Sequence, residues 1–206
     1  MRTVEAPEFL KRTFDVDALR DERGAVVALD REGVIVWVNP AWERFAQENG
    51  APEVVERFGP GARYLDGITG PLVPFFAEAL ERTRRTGEPW EMDYECSSPE
   101  TWRLHHMRVM PIAEDGLLVE HSEVRARPHD RTACAPVEEA FRDEHGLMLQ
   151  CSNCRRVHRV GDGWEWVVPW VRSAPAPVSH GLCASCAGHY LAATRRARRA
   201  RREETL

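Results

Sequence analysis

The stretch Ala25-Val-Val-Ala-Leu-Asp-Arg-Glu-Gly-Val-Ile-Val-Trp-Val-Asn-Pro-Ala-Trp42 decides how the front of this 206-residue chain folds. Residues 25–29 and 34–38 are rich in β-formers, and between them Asp30-Arg-Glu-Gly33 puts glycine where a hairpin turn needs a left-handed residue. Asn39-Pro40 ends the second run and opens a helix. Asparagine caps the free N–H groups of a first turn, and the fixed φ of proline suits the first helical position. Trp42, Phe45 and Ala46 form the apolar stripe of that helix, and Asn49-Gly50 stops it.

Working outward, residues 51–70 are poorly periodic and hold Phe58, Tyr64 and Leu65. Residues 71–85 predict a helix burying Leu72, Phe75, Phe76, Ala79 and Leu80, ended by Thr86-Gly87. Strands are expected over 90–96, 102–111 and 117–124. In the first, Trp90, Met92, Tyr94 and Cys96 share a face; in the second, His105, Met107 and Val109 oppose Trp102, Leu104, His106 and Arg108. Upstream, residues 7–23 predict one amphipathic helix with Phe9, Leu10, Phe14 and Leu19 near one face, a flanking helix or a dimer-forming one. Two strands, several helices and three strands in that order predict an α+β fold, a five-stranded antiparallel sheet with helices gathered on one face.

The hairpin, the Val38-Asn39-Pro40-Ala41-Trp42 junction and the last three strands together resemble a PAS sensory domain over residues 25–125. Tyr94-Glu-Cys-Ser-Ser-Pro99, Trp102-Arg103, Met110-Pro111 and Val119-Glu-His121 are similar to a bacterial PAS subgroup, in which Pro stands at the place of Glu95 and His at that of Ser97. The resemblance implies a sensory or protein-contact role; a homodimer through this domain and the N-terminal helix is the alternative to a simple flanking helix. It implies a ligand site between sheet and helices, around Phe45, Tyr64, Phe75, Phe76, Tyr94, Leu104 and Met107. The competing reading is that these side chains simply fill the core. Haem-binding members resemble one another in carrying an axial histidine on the helix here at 71–85, which has none; His105, His106 and His121 fall on strands and are expected at the surface or within the sheet. The photoactive flavin chemistry of this superfamily needs a cysteine after the second helix, and no cysteine precedes Cys96.

The back of the chain is organised by Cys151-Ser-Asn-Cys154 and Ser179-His-Gly-Leu-Cys183-Ala-Ser-Cys186. Each Cys-x-x-Cys turn aims two sulfurs at one point, and two such turns complete the tetrahedron that structural Zn²⁺ prefers. A redox dithiol and inert thiols are the competing readings. A disulfide within either turn would close only a short loop, where cross-linking stabilises least. His180 is an alternative ligand or a hydrogen-bonding neighbour of one. Trp164, Trp166 and Trp170 are expected to pack a small zinc-ribbon-like core at 147–190. Cys-x-x-Cys-Arg-Arg-Val and Ser-His-Gly-Leu-Cys-x-x-Cys are similar to a short module at the C-termini of bacterial sensor kinases and response regulators, which implies a signalling context. Residues 126–146 are expected to be a linker with a short helix at 136–145.

Charge divides the chain. From Cys151 onward ten arginines face four acids, a balance of +6, while the whole chain is −5, leaving −11 for the front. Arg195, Arg196, Arg198, Arg199, Arg201 and Arg202 form a tail over 191–206 that could grip nucleic-acid phosphates or an acidic partner, or be a solvated end. No run of about 18 uncharged apolar residues predicts a membrane span, and the N-terminus lacks an apolar signal core, so a cytoplasmic location is expected. No Gly-rich phosphate loop appears, and Glu91, Asp93 and Glu95 alternate with apolar residues as on a solvated strand face. The expectation is a non-catalytic signalling protein with one sensing or docking domain, a structural zinc module and a signalling protein partner; the alternative is a nucleic-acid-binding regulator that uses the tail.

Overall fold

A computed structural model describes residues 5–49, 53–113 and 116–192. The chain divides into two compact units, Met1–His129 and Asp130–Leu206.

In the front unit α1 (Glu8–Thr13) and α2 (Val16–Asp21) precede β1 (Ala25–Leu29) and β2 (Ile35–Val38). Helices α3 (Pro40–Glu48), α4 (Glu53–Arg57) and α5 (Leu72–Thr86) follow, with a 3₁₀ turn at Tyr64–Gly67 before α5. Strands β3 (Trp90–Glu95), β4 (Thr101–Pro111) and β5 (Leu117–Pro128) complete a sheet of order β2-β1-β5-β4-β3, antiparallel throughout. This is the expected α+β, PAS-type arrangement. The last strand returns to the middle of the sheet, so β5 is paired on both edges and β1 lies wholly buried beside it.

The turn chemistry is as the sequence predicts. Gly33 takes φ +78, and Asp30 closes the hairpin by accepting the Val34 N–H at 2.8 Å. Gly87 ends α5 in the left-handed region and donates its N–H to the Thr83 carbonyl at 3.0 Å. Asn39 does more than cap α3. Its Oδ1 accepts from Trp42 N–H at 3.2 Å and from Val26 N–H at 2.9 Å, and its amide donates to the carbonyls of Leu19, Glu22 and Gly24. One buried side chain thus fixes the end of α2, the start of β1 and the first turn of α3.

The N-terminal segment departs from the single predicted helix. Phe14 is extended, and the Asp15 carboxylate accepts from the N–H groups of Asp17 and Ala18, so a fresh cap breaks the run into two helices. Leu10 is fully buried against Val26, Ala28, Trp37 and Leu118, with Phe9, Phe14 and Leu19 packed around it. Strand alternation puts that group on the face opposite Val27, Val109 and Val119. Helix α5 packs its Phe75 and Phe76 against Trp90, which pairs with Val109, on the face opposite the one that the flanking helix α1 covers with Leu10.

In the back unit β6 (Met148–Cys151), β7 (Val157–Arg159), β8 (Gly163–Glu165) and β9 (Val178–Gly181) form a sheet of order β8-β7-β6-β9, and β6 and β9 run parallel. Helix α6 occupies 184–192. Phe141, Met148, Val157, Val167 and Trp170 make the core, and buried Gln150 donates to the Trp170 and Arg155 carbonyls. The helix predicted at 136–145 is only a 3₁₀ turn, Glu138–Ala140. Phe141 is drawn into the core, and the Asp143 carboxylate accepts from the His145 and Leu147 N–H groups, which holds a turn instead. The segment read as a linker from 126 is partly strand, since Ala126, Arg127 and Pro128 pair with Arg103, Trp102 and Thr101.

Replacing Asn39 with alanine removes a cap and leaves buried backbone groups unpaired. A loss of about 2–4 kcal/mol is expected, read as a lowered urea midpoint with an unchanged slope.

Candidate metal centre and interior polar network

Parallel pairing of β6 with β9 sets Cys151 beside Gly181, so the two Cys-x-x-Cys turns leave the same end of the sheet. Cys154 lies in the turn after β6, Cys183 follows β9, and Cys186 sits in the first turn of α6. All four are free and buried, and their sulfurs lie within 4.8 Å of one another. A tetrahedron with arms of about 2.3 Å has edges of about 3.8 Å. Cys154 and Cys183 are 3.6 Å apart, close to that edge. The donor set therefore fits one metal ion, and His180 stands outside it.

The surroundings favour negative sulfur. Cys183 N–H donates to Cys151 Sγ at 3.4 Å, and the Asn153 amide donates to Cys186 Sγ at 3.3 Å. Tyr190 holds Asn153 in turn, its hydroxyl donating to Asn153 Oδ1 at 2.9 Å. Hydrogen bonds from Cys154, Cys183 and Cys186 push the Cys151 thiol far below its ordinary range. Arg155, in the turn itself, takes φ +62 and anchors its Nε–H on the Val171 carbonyl at 3.0 Å. Asn153, Arg155 and Tyr190 are functional neighbours that the cysteine spacing did not disclose. Of the three tryptophans, Trp166 and Trp170 are buried and Trp164 packs partly buried against the cysteines.

In the front unit the residues expected around a ligand are only partly gathered. Phe45 of α3 meets His105 edge-on at 5.5 Å, and Tyr94 meets it at 5.8 Å. The Tyr64 hydroxyl is 3.0 Å from His121 Nε2, and the Tyr94 hydroxyl is 2.8 Å from His121 Nδ1. Met107 is buried on the same face as His105, while Phe75 and Phe76 cluster with Trp90. Leu104 pairs with Glu95 one residue out of phase, so it points away from that group to the opposite face of the sheet.

His105 is buried and His121 half-buried on the inner face of the sheet, the sheet position that was one of the two expected for the strand histidines. The alternation of His105 with Met107 and Val109, and of His121 with Val119 and Leu117, was the readable signal. Burial, with Arg103 adding to it, lowers His105 to about 4; burial and the nearby His105 lower His121 to about 3. His106 is the exposed one, bonded to Asp93 at 2.7 Å and Glu91 at 3.1 Å and raised mainly by the Asp93 bond. The six tail arginines, Arg195 to Arg202, lie outside the described residues. Among those described, no helix is long and apolar enough to cross a membrane.

No protein-family model matches the chain. It is 33% identical over 121 residues to an uncharacterized 104.1 kDa protein in the hypE 3'region of Rhodobacter capsulatus, a match covering 54% of this chain and 12% of that protein. Among solved structures it is similar to the PAS domain of the quorum-sensing receptor RpfR from Cronobacter turicensis in complex with BDSF (18% identity, 51% of this chain and 97% of that one, TM-score 0.37). It is also similar to a domain of an HTR-like protein from Haloarcula marismortui (17%, 50% and 100%, TM-score 0.37) and to a sensory box sensor histidine kinase from Vibrio cholerae (15%, 53% and 86%, TM-score 0.34).

The interior histidines set a pH dependence. The unfolded chain binds protons near pH 6.5 while the folded one resists until about 4 and 3, so stability is full above pH 6.5 and falls as pH drops toward those values. Between pH 7 and pH 5 the loss attributable to the pair is about 3–4 kcal/mol, measured by urea unfolding, and His105→Phe is expected to lose about 2 kcal/mol less over the same interval.

Proposed function

We propose that this chain is a non-catalytic signalling protein, in which a PAS-type unit senses a small molecule or docks a signalling partner and a second unit is folded around one structural Zn²⁺. The observation that carries the reading is the convergence of four buried sulfurs from two separate turns. Cys151, Cys154, Cys183 and Cys186 would hold the ion. Four protein ligands fill a tetrahedral site, and a closed zinc site supplies folding free energy rather than an activated water. Four thiolates around Zn²⁺ leave two negative charges, and the Arg155 guanidinium beside Cys151 and Cys154 offsets part of them. The front unit offers the sensing role its interior face, where Phe45, Tyr64, Tyr94 and Met107 surround two histidines.

The purified 206-residue chain is expected to carry one zinc per molecule, and Cys154→Ser less than half of that. Chelation should unfold the back unit and leave the front unit's near-ultraviolet signal intact. Zinc absent from both proteins, or equal in both, ends the proposal. Asn153→Ala removes a bond to a ligand sulfur and the anchor for Tyr190. It should weaken zinc roughly 10- to 100-fold in a chelator competition while the four thiols remain.

A further inference from the structure

Two histidines share the inner face of the front sheet, and they are treated differently by the protein. His121 has a tyrosine hydroxyl on each ring nitrogen. His105 is only 5% exposed, and neither its Nδ1 nor its Nε2 has a hydrogen-bond partner. An unpaired buried polar atom has given up its hydration with nothing in return, which costs stability. Its neighbours are the rings of Phe45 and Tyr94 and, on the same strand face, the buried side chain of Met107. A neutral imidazole offers one donor and one acceptor, so the position is equipped for a hydrogen-bonding guest.

We propose that the front unit binds a small uncharged molecule through hydrogen bonds to the His105 imidazole, beside the rings of Phe45 and Tyr94. The proposal rests on reading this unit as a ligand-taking sensor and adds the chemical class of its ligand. The guest is uncharged because the cation that shares this strand face is already balanced: Arg103, two residues from His105, is ion-paired with Glu123 at 3.5 Å. A carboxylate would enter with no net positive charge to meet it and would forfeit its own hydration. A purely apolar guest would leave both ring nitrogens unpaired.

The full chain, labelled with ¹⁵N-histidine, is titrated at pH 7 with 2-pyridone, benzoate and toluene, three molecules of similar size. The expected result is that 2-pyridone shifts the His105 ring nitrogens and binds on the order of tenfold tighter than toluene, the worth of one buried hydrogen bond. Benzoate should bind more weakly than 2-pyridone, and His105→Phe should bring 2-pyridone down to the affinity of toluene. Toluene binding as tightly as 2-pyridone would overturn the hydrogen-bonding class while leaving a ligand-taking unit. Benzoate binding tightest would overturn the uncharged class in the same way. No binding of any of the three would overturn both. If His105→Phe fails to fold, the comparison of 2-pyridone with toluene on the wild-type chain decides.

Discussion

The parallel pairing of β6 and β9 is the constraint on which the back unit depends. Antiparallel neighbours would send the two cysteine turns to opposite ends of the sheet, and no loop adjustment of a few residues could reunite them. With Met148 to Cys151 alongside Val178 to Gly181, both turns emerge together, and the backbone N–H of Ser152 locks onto the Gly181 carbonyl at 2.8 Å. Parallel strands need a crossover, and the long segment between the cysteine pairs supplies it through β7, β8 and the tryptophan-bearing turn. Its length is a topological requirement, not slack.

The front unit solves a different problem with one residue. A strand edge, a helix start and a helix end all bring unpaired backbone groups to one buried point. Asn39 has both donors and an acceptor with two lone pairs, so it can satisfy all three at once. Aspartate would lose the donors and serine the reach. The junction Asn39-Pro40 was legible as a cap from local chemistry, whereas its bonds to Leu19, Glu22 and Gly24 needed the fold.

That contrast separates what the sequence disclosed from what it did not. Turns announced by glycine at positive φ, strands with period-two patterns and the paired cysteines were readable because their causes are local. Phe14 interrupting α1 and α2 was missed, because the apolar stripe continued through a carboxylate that preferred to cap. By residue type His105 is open between surface and sheet, although its phase with Met107 and Val109 places it inside. Leu104 was assigned by hydrophobicity, although its phase placed it outside. In both, strand period outweighs side-chain character, because a pleat turns every second residue to the same face. Asn153 and Tyr190 act on the sulfurs through space, 37 residues apart, which no spacing rule anticipates.

Cys186 lies within the opening turn of α6, so the helix has no hinge between itself and the cysteine cluster. The Ala187 N–H on the Cys183 carbonyl at 2.8 Å ties the first turn of α6 to the same cluster, so the bearing on which the helix sets out is decided at the sulfurs.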